Sequence, residues 1–204
     1  MKLYNSMGPN PHMVRMYAAE LGFELEMEEV DLMAGENRQA AFLARNPSGQ
    51  CPALELDDGT VIAEITAICE YLDDITPNQT LIGDTAQERA NVRMWTRRVD
   101  LGICEPMANG FRYAEGIKIF ENRMITLPEA ADGLKRIAAD KLTWLDAQMS
   151  DGREFIAGAS LTMADILLYS MVAFFAGVGQ PLDSSNSNVQ GWFDRMAARP
   201  SAQA

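Results

Sequence analysis

The residues with most chemical content lie at Gln50-Cys51-Pro52-Ala53-Leu54. Proline has no N–H, so within a sheet it is confined to strand starts, edges and bulges. Pro52 follows the loop Asn46-Pro47-Ser48-Gly49 and precedes Asp57-Asp58-Gly59-Thr60, a hairpin turn, so it stands where a short strand starts. A cis bond is one reason to keep a proline there. Such a bend leaves the main chain of Cys51 free to pair with an extended, peptide-like ligand. A tight turn that binds nothing is the alternative reading of the same residues.

Other chemistries find little material. Cys51, Cys69 and Cys104 are odd in number and widely separated, and they read as reduced thiols of a cytoplasmic protein. They make no Cys-X-X-Cys pair, and His12 is the single histidine, so no zinc cluster and no metal is expected. A triad using histidine would need His12, whose neighbours form no nucleophile elbow. Lys and Arg number 17 against 29 Asp and Glu, for a formal net charge of -12. That balance opposes a phosphate-backbone surface and therefore a nucleic-acid partner. No apolar run has transmembrane length and no signal-peptide order opens the chain, so no membrane partner is expected.

The elements that must position these residues fall in two groups. Met1–Tyr4 reads as a strand, and Val14, Tyr17, Ala18 and Leu21 give a helix its apolar face before Gly22. Phe23–Val30 alternates apolar and acidic residues as a half-exposed strand does. A small helix fits 37–44, and Ala53–Leu56 with Val61–Ala63 form a hairpin. Ile65, Ile68, Cys69 and Leu72 mark a closing helix, followed by a linker over Ile75–Gln79. The order strand-helix-strand, then hairpin and helix, gives a compact mixed sheet.

Beyond residue 84 the periodicity is helical. Apolar positions Val92, Trp95, Val99 and Ile103 point to a helix over 85–107, and another is expected over 117–125. Leu134, Ile137, Ala138, Leu142 and Leu145 make a further stripe. Thr162 and Asp165 have the spacing of a helix cap and its reciprocal partner, with Leu161 and Ile166 as a hydrophobic staple. The helix they start runs through Leu167–Ala176 and is apolar nearly all round, as at the centre of a bundle. Asp183–Gln190 reads as a polar loop.

Four stretches together resemble the cytosolic glutathione transferase family, over essentially the whole chain. They are Leu3-Tyr4 followed by Val14-Arg15; Asn46-Pro47-Ser48-Gly49-Gln50-Cys51-Pro52-Ala53-Leu54; Glu64-Ile65-Thr66-Ala67-Ile68-Cys69-Glu70-Tyr71-Leu72; and Gly158-Ala159-Ser160-Leu161-Thr162-Met163-Ala164-Asp165. The resemblance implies an α/β, thioredoxin-like glutathione-binding domain over 1–76 and an all-α helical bundle domain over 85–204. It implies glutathione as co-substrate, with Pro52 in cis and the N–H and C=O of Cys51 pairing with its cysteinyl part like an added strand. Glu64 matches the family's γ-glutamyl-binding glutamate at a helix N-terminus, whose free N–H groups suit a carboxylate. Ile65 stands where the family has serine, leaving Thr66 or main-chain N–H groups to replace the hydroxyl. Gln50 is implied to contact the peptide backbone of glutathione.

The family's serine just ahead of the first helix falls on Gly8 here, so that hydroxyl is missing. Lowering the thiol pKa from ~8.5 then needs another donor. Asn10 matches the asparagine of the bacterial disulfide-reductase-like branch, in Gly8-Pro9-Asn10 where that branch has Thr-Pro-Asn. An amide donates to sulfur but accepts no proton, and helix capping is the ordinary role for such an asparagine. Ser6 is a second candidate and His12 a third, while Tyr4 reads as core. Arg15 either orients acidic groups at the site or makes an ion pair. The acceptor pocket is expected between the domains, walled by Met107, Phe111 and Tyr113 with Arg112 beside them and Gly110 interrupting the helix.

The implied reaction is conjugation of glutathione to an apolar electrophile, as in detoxification. The alternatives are glutathione-dependent disulfide reduction, or a non-catalytic glutathione-binding role. A homodimer is expected, with the Arg89, Arg93 and Arg97 stripe near a partner's acidic first domain; a solvated face explains that stripe equally.

Overall fold

The computed structural model describes residues 1–77 and 80–204. The chain divides into one unit of Met1–Leu81 with Pro200–Ala204 and a second of Ile82–Arg199.

The first unit runs β1 (Lys2–Asn5), α1 (Pro9–Glu20), β2 (Glu26–Glu29), a 3-10 turn at Glu36–Arg38, α2 (Ala40–Leu43), β3 (Ala53–Glu55), β4 (Val61–Ile62) and α3 (Ile65–Ile75). Its sheet has the order β2-β1-β3-β4, with β1 parallel to β2 and the other pairs antiparallel. Met13, Val14, Met16 and Tyr17 of α1 and Ile68, Cys69 and Leu72 of α3 are fully covered. Beneath them Asp73 is buried but met by three donors: Tyr17 Oη at 2.6 Å, Thr80 Oγ1 at 2.6 Å and the Leu81 N–H at 2.7 Å. Residues 200–203 form a 3-10 turn that packs on α1, where the His12 Nε2 donates to the Ala202 carbonyl at 3.1 Å.

Two expectations for this unit change. The strand expected over Phe23–Val30 is confined to Glu26–Glu29 and lies at the sheet edge with all four residues exposed. Met27 is 52% exposed, because no layer covers that edge and the glutamates alone decide its character. The helix expected over 37–44 divides into the Glu36–Arg38 turn and α2, since Gln39 is extended between them. The expected linker lies, at Asn78 and Gln79, outside the described residues.

The second unit contains α4 (Ala86–Val99), a π-helical turn (Asp100–Cys104), α5 (Glu105–Arg112), α6 (Ile117–Phe120), α7 (Ala131–Gln148), α8 (Met163–Ala176) and α9 (Ser187–Ala197). α5 packs on α7 and α4 on α8. Val92, Trp95, Val99 and Ile103 are all buried as their spacing requires. α8 is buried along nearly its full length. At its start Asp165, with no exposed surface, accepts from the Thr162 N–H, Thr162 Oγ1, the Ile156 N–H and Trp192 Nε1, all within 2.9 Å.

Here the structure departs from the sequence reading in four places. The helix expected over 85–107 passes through a π-helical turn and runs on to Arg112, and the one expected over 117–125 is a single turn. Gly110 does not interrupt its helix: it lies inside α5, where a Cβ would stand 2.7 Å from Lys135 Cγ, so its role is close approach to α7. The polar stretch 183–190 contains the start of α9, whose Trp192 is wholly buried. Its first turn hid behind Ser-Asn because Asp146 of α7 supplies the cap from outside, accepting from the N–H groups of Asn188 at 2.7 Å and Val189 at 2.9 Å.

Candidate functional site

Strand register brings the candidate residues together. Tyr4 at the end of β1 pairs with Ala53 at the start of β3, and Ile62 at the end of β4 pairs with Leu54. The loop after β1, the Cys51-Pro52 segment before β3 and the residues after β4 therefore emerge at one end of the sheet. Those loops carry Ser6 to Asn10, Gln50 to Pro52, and Glu64 to Thr66.

The Cys51–Pro52 peptide is cis. Among the described residues, no hydrogen bond is made by the N–H or C=O of Cys51. Its thiol packs against a cluster of Tyr4, Val30, Phe42 and Ala53. Burial, then Glu36 and Glu29, pushes that thiol up to about 11, so at neutral pH it is a protonated packing group and not a nucleophile. Gln50 is exposed.

Glu64 is the non-glycine residue with positive φ among those described, at 69°. That conformation is costly for a side chain and persists where its surroundings hold it. It precedes α3 as the cap residue without any capping side chain, and Ile68 takes its carbonyl at 3.0 Å. The N–H groups of Ile65, Thr66 and Ala67 are left open among the described residues. An eleven-residue helix with an uncapped start and three free donors can receive a carboxylate.

The start of α1 is uncapped as well. Gly8, at φ 107°, occupies the cap position, so Asn10 sits in the first turn and is not the cap. Pro9 and Pro11 have no N–H, and the His12 N–H bonds to Gly8 C=O at 3.3 Å. Asn10 thus carries the open main-chain donor of this turn, and its side-chain amide also has no partner among the described residues. Ser6 differs: it is buried and its hydroxyl donates to Val30 C=O at 2.8 Å, which occupies its one hydrogen. His12 faces the 200–203 turn, and burial pushes its pKa down.

Arg15 anchors the end of β1. It donates to Asn5 Oδ1 at 2.7 Å, and Asn5 in turn donates to Glu29. Burial pushes the guanidinium pKa down while Glu29 opposes the shift. The Val30 N–H to Asn5 C=O bond, at 2.9 Å, completes the link between β1 and the end of β2. Tyr4 is core, as its strand position implies, with its hydroxyl donating to Glu55 at 2.6 Å.

In the helical unit Met107 is buried. Phe111 lies in an aromatic cluster, its ring centroid 5.7–6.3 Å from those of Phe120, Phe174 and Phe175. Arg112 donates to Asn109 at 3.0 Å and lies over the Phe120 ring. Tyr113 is half-buried just past the end of α5. Among the described residues, no group of three or more His, Cys, Asp and Glu side chains can hold a metal, and no helix is long and apolar enough to cross a membrane.

Sequence reasoning missed two residues that shape this site, Asn37 and Asn46. Both are buried and bond the loop before Cys51. The Asn-Pro-X-Gly spacing was the signal available for Asn46; nothing local marked Asn37.

Residues 7–75 match the family model "Glutathione S-transferase, N-terminal domain" and residues 128–195 match its C-terminal counterpart. The chain is 32% identical to Glutathione S-transferase 2 of Saccharomyces cerevisiae over 96% of its own length and 84% of that protein's. The crystal structure of yeast Gtt2 superposes with a TM-score of 0.93, covering 100% of this chain and 99% of that one. A glutathione S-transferase domain-containing protein of Marinobacter aquaeolei gives 0.93 at 34% identity, covering 99% and 100% of the two chains. With an open helix start beside an unpaired strand entrance in the first unit and both family domains matched in order, the chain belongs to the cytosolic glutathione S-transferase family.

Proposed function

We propose that this glutathione transferase conjugates glutathione to an apolar electrophile, with Asn10 stabilising the attacking thiolate. The observation that carries the reading is the open first turn of α1, where Pro9 and Pro11 leave Asn10 with both unpaired donors. Glutathione lies along Cys51, its cysteinyl part pairing with the open main chain ahead of Pro52, and Gln50 contacts the peptide. Its γ-glutamyl carboxylate takes the free N–H groups of Ile65 and Thr66 at the start of α3, and Glu64 binds the ammonium. The sulfur then meets the Asn10 amide and main-chain N–H, aided by the helix dipole.

Neither donor accepts a proton, so the thiol proton leaves to water. The thiolate forms the S–C bond as the acceptor's leaving group departs with its electron pair. Ser6, its hydroxyl hydrogen already engaged by Val30, holds the loop and does not donate to sulfur. The protein works in the cytoplasm as a homodimer, its exposed Arg93 and Arg97 complementing the acidic first unit of a second copy.

Titrating the bound thiol by thiolate absorbance tests this. Its pKa should lie below the free value of ~8.5. Asn10→Ala should raise it by about one unit and cut the rate near neutral pH by about tenfold. A thiol that titrates as in free solution in the unaltered protein overturns the assignment. Comparing a chloronitrobenzene acceptor with hydroxyethyl disulfide separates conjugation from disulfide reduction, and inactivity with both favours a binding role.

A further inference from the structure

We propose that Asn37 and Asn46 are positioning residues that fix the register in which glutathione docks on Cys51. This rests on the glutathione-binding role proposed for Cys51 and adds what holds the docking edge in place. Both residues are 4% exposed, which is unusual for asparagine away from a partner. Asn37 Nδ2 donates to the Gly49 carbonyl at 2.6 Å, and Asn46 Nδ2 donates to the Gln50 carbonyl at 2.8 Å. Two consecutive carbonyls are thereby occupied immediately before Cys51. Asn46 is itself held, since its Oδ1 accepts from the Ser48 N–H at 3.3 Å and from Ser48 Oγ at 2.9 Å.

The consequence is positional. At 49 and 50 the carbonyls face inward to the asparagines, and from Ala53 onward the main chain belongs to the β1–β3 ladder. Cys51 lies between these two stretches with both of its polar groups open. A peptide sliding by one residue would meet the occupied Gln50 carbonyl on one side and Pro52, which has no N–H, on the other. The 36–38 turn is pressed against this loop: a Cβ on Gly49, at φ 62°, would stand 2.7 Å from Arg38 Nη1 and 3.1 Å from the Asn37 carbonyl oxygen.

Asn37 Oδ1 is buried without a hydrogen-bond partner among the described residues. An unmet buried acceptor is destabilising, so the side chain serves through its donor and not as a filler of space.

The test is a cycle of protein and ligand changes on the full chain, read by calorimetry. Asn37→Asp and Asn46→Asp each replace the donating amide with an oxygen that repels the carbonyl, at nearly constant volume. The probe is S-methylglutathione, which cannot turn over, and its analogue methylated on the cysteinyl amide nitrogen. In the unaltered protein N-methylation should weaken binding about tenfold, a loss of ~1.4 kcal/mol. Each Asp variant should bind S-methylglutathione about tenfold more weakly. In each, N-methylation should then cost about twofold or less, the non-additivity expected when both changes act on one contact.

An unchanged affinity in the variants, or the full methylation cost persisting in them, overturns the proposal while leaving the glutathione site intact. No binding to the unaltered protein overturns both the register proposal and the glutathione site. Should the Asp variants fail to fold, Ser48→Ala removes a donor from Asn46 without emptying the interior. It should weaken binding about threefold and reduce the methylation cost, and an unchanged cost there also overturns the idea.

Discussion

The starts of α3 and α8 are the same kind of local structure built for opposite ends. Each is the first turn of a helix of three or more turns, with N–H groups that have no partner inside the helix. At α8 the cap residue is tied into the fold: buried Asp165 accepts from the Thr162 N–H and Oγ1, the Ile156 N–H and Trp192 Nε1, and its own N–H reaches the Thr162 carbonyl at 3.0 Å. At α3 the chain leaves the donors of Ile65, Thr66 and Ala67 open and holds Glu64 in a strained backbone conformation instead. A cap residue locked by buried partners contributes to stability. One held at a cost in strain beside open donors is what the proposed glutathione site at α3 requires.

The largest effect that can break this contrast comes from Asp165→Ala. It strands four buried donors and should cost roughly 4 kcal/mol of unfolding free energy, read as a lower denaturation midpoint. Glutathione KM of the remaining folded protein should stay within about twofold, since no direct ligand contact is assigned to Asp165. A large KM change at unaltered stability would reverse the assignment of roles.

A smaller effect of opposite sign is expected at the other start. Glu64→Gly relieves the positive φ and should stabilise the fold by about 1 kcal/mol, while raising glutathione KM about tenfold. Loss of stability together with loss of binding would make Glu64 a structural residue like Asp165.

The smallest effect concerns α1. His12 has a pKa pushed below its ordinary 6.5 by burial, so on acidification the unfolded chain gains a proton more readily than the folded one. Stability tied to neutral His12 is complete above that value and declines as pH falls below it. His12→Gln, which keeps a donor for the Ala202 carbonyl, should flatten the acid side of a melting-temperature profile and leave the thiol pKa of bound glutathione unchanged. A shifted thiol pKa would bring His12 into the site.

How much of the fold was legible in the sequence depended on how local each signal is. The Thr162/Asp165 spacing and the all-round apolar run announce α8 because both are contained within that helix and its approach. Pro52 and Glu64 were found through a motif whose parts are contiguous. By contrast, α9 took its cap from Asp146, some forty residues earlier, and so looked like a loop. Glu26–Glu29 alternates correctly for a half-covered strand, yet whether a layer covers it is decided elsewhere in the fold. Asn37 and Asn46 carry surface letters at buried positions, and Ser6 carries a nucleophile's letter with its hydrogen already given to Val30. Polar residues declare their type in sequence but not their partners.

The π-helical turn at Asp100–Cys104 sets the rotational phase of α5 relative to α4. It accommodates a residue beyond the α-helical repeat, and each residue advances an α-helix by ~100°. Removing one residue from this turn would return it to the α-helical repeat. α5 would then be turned by about a quarter of a circle, carrying Pro106, Met107 and Ala108 away from their buried direction. Which face α5 shows to α7, and where Tyr113 emerges, is therefore governed by a one-residue difference in chain length between positions 100 and 104.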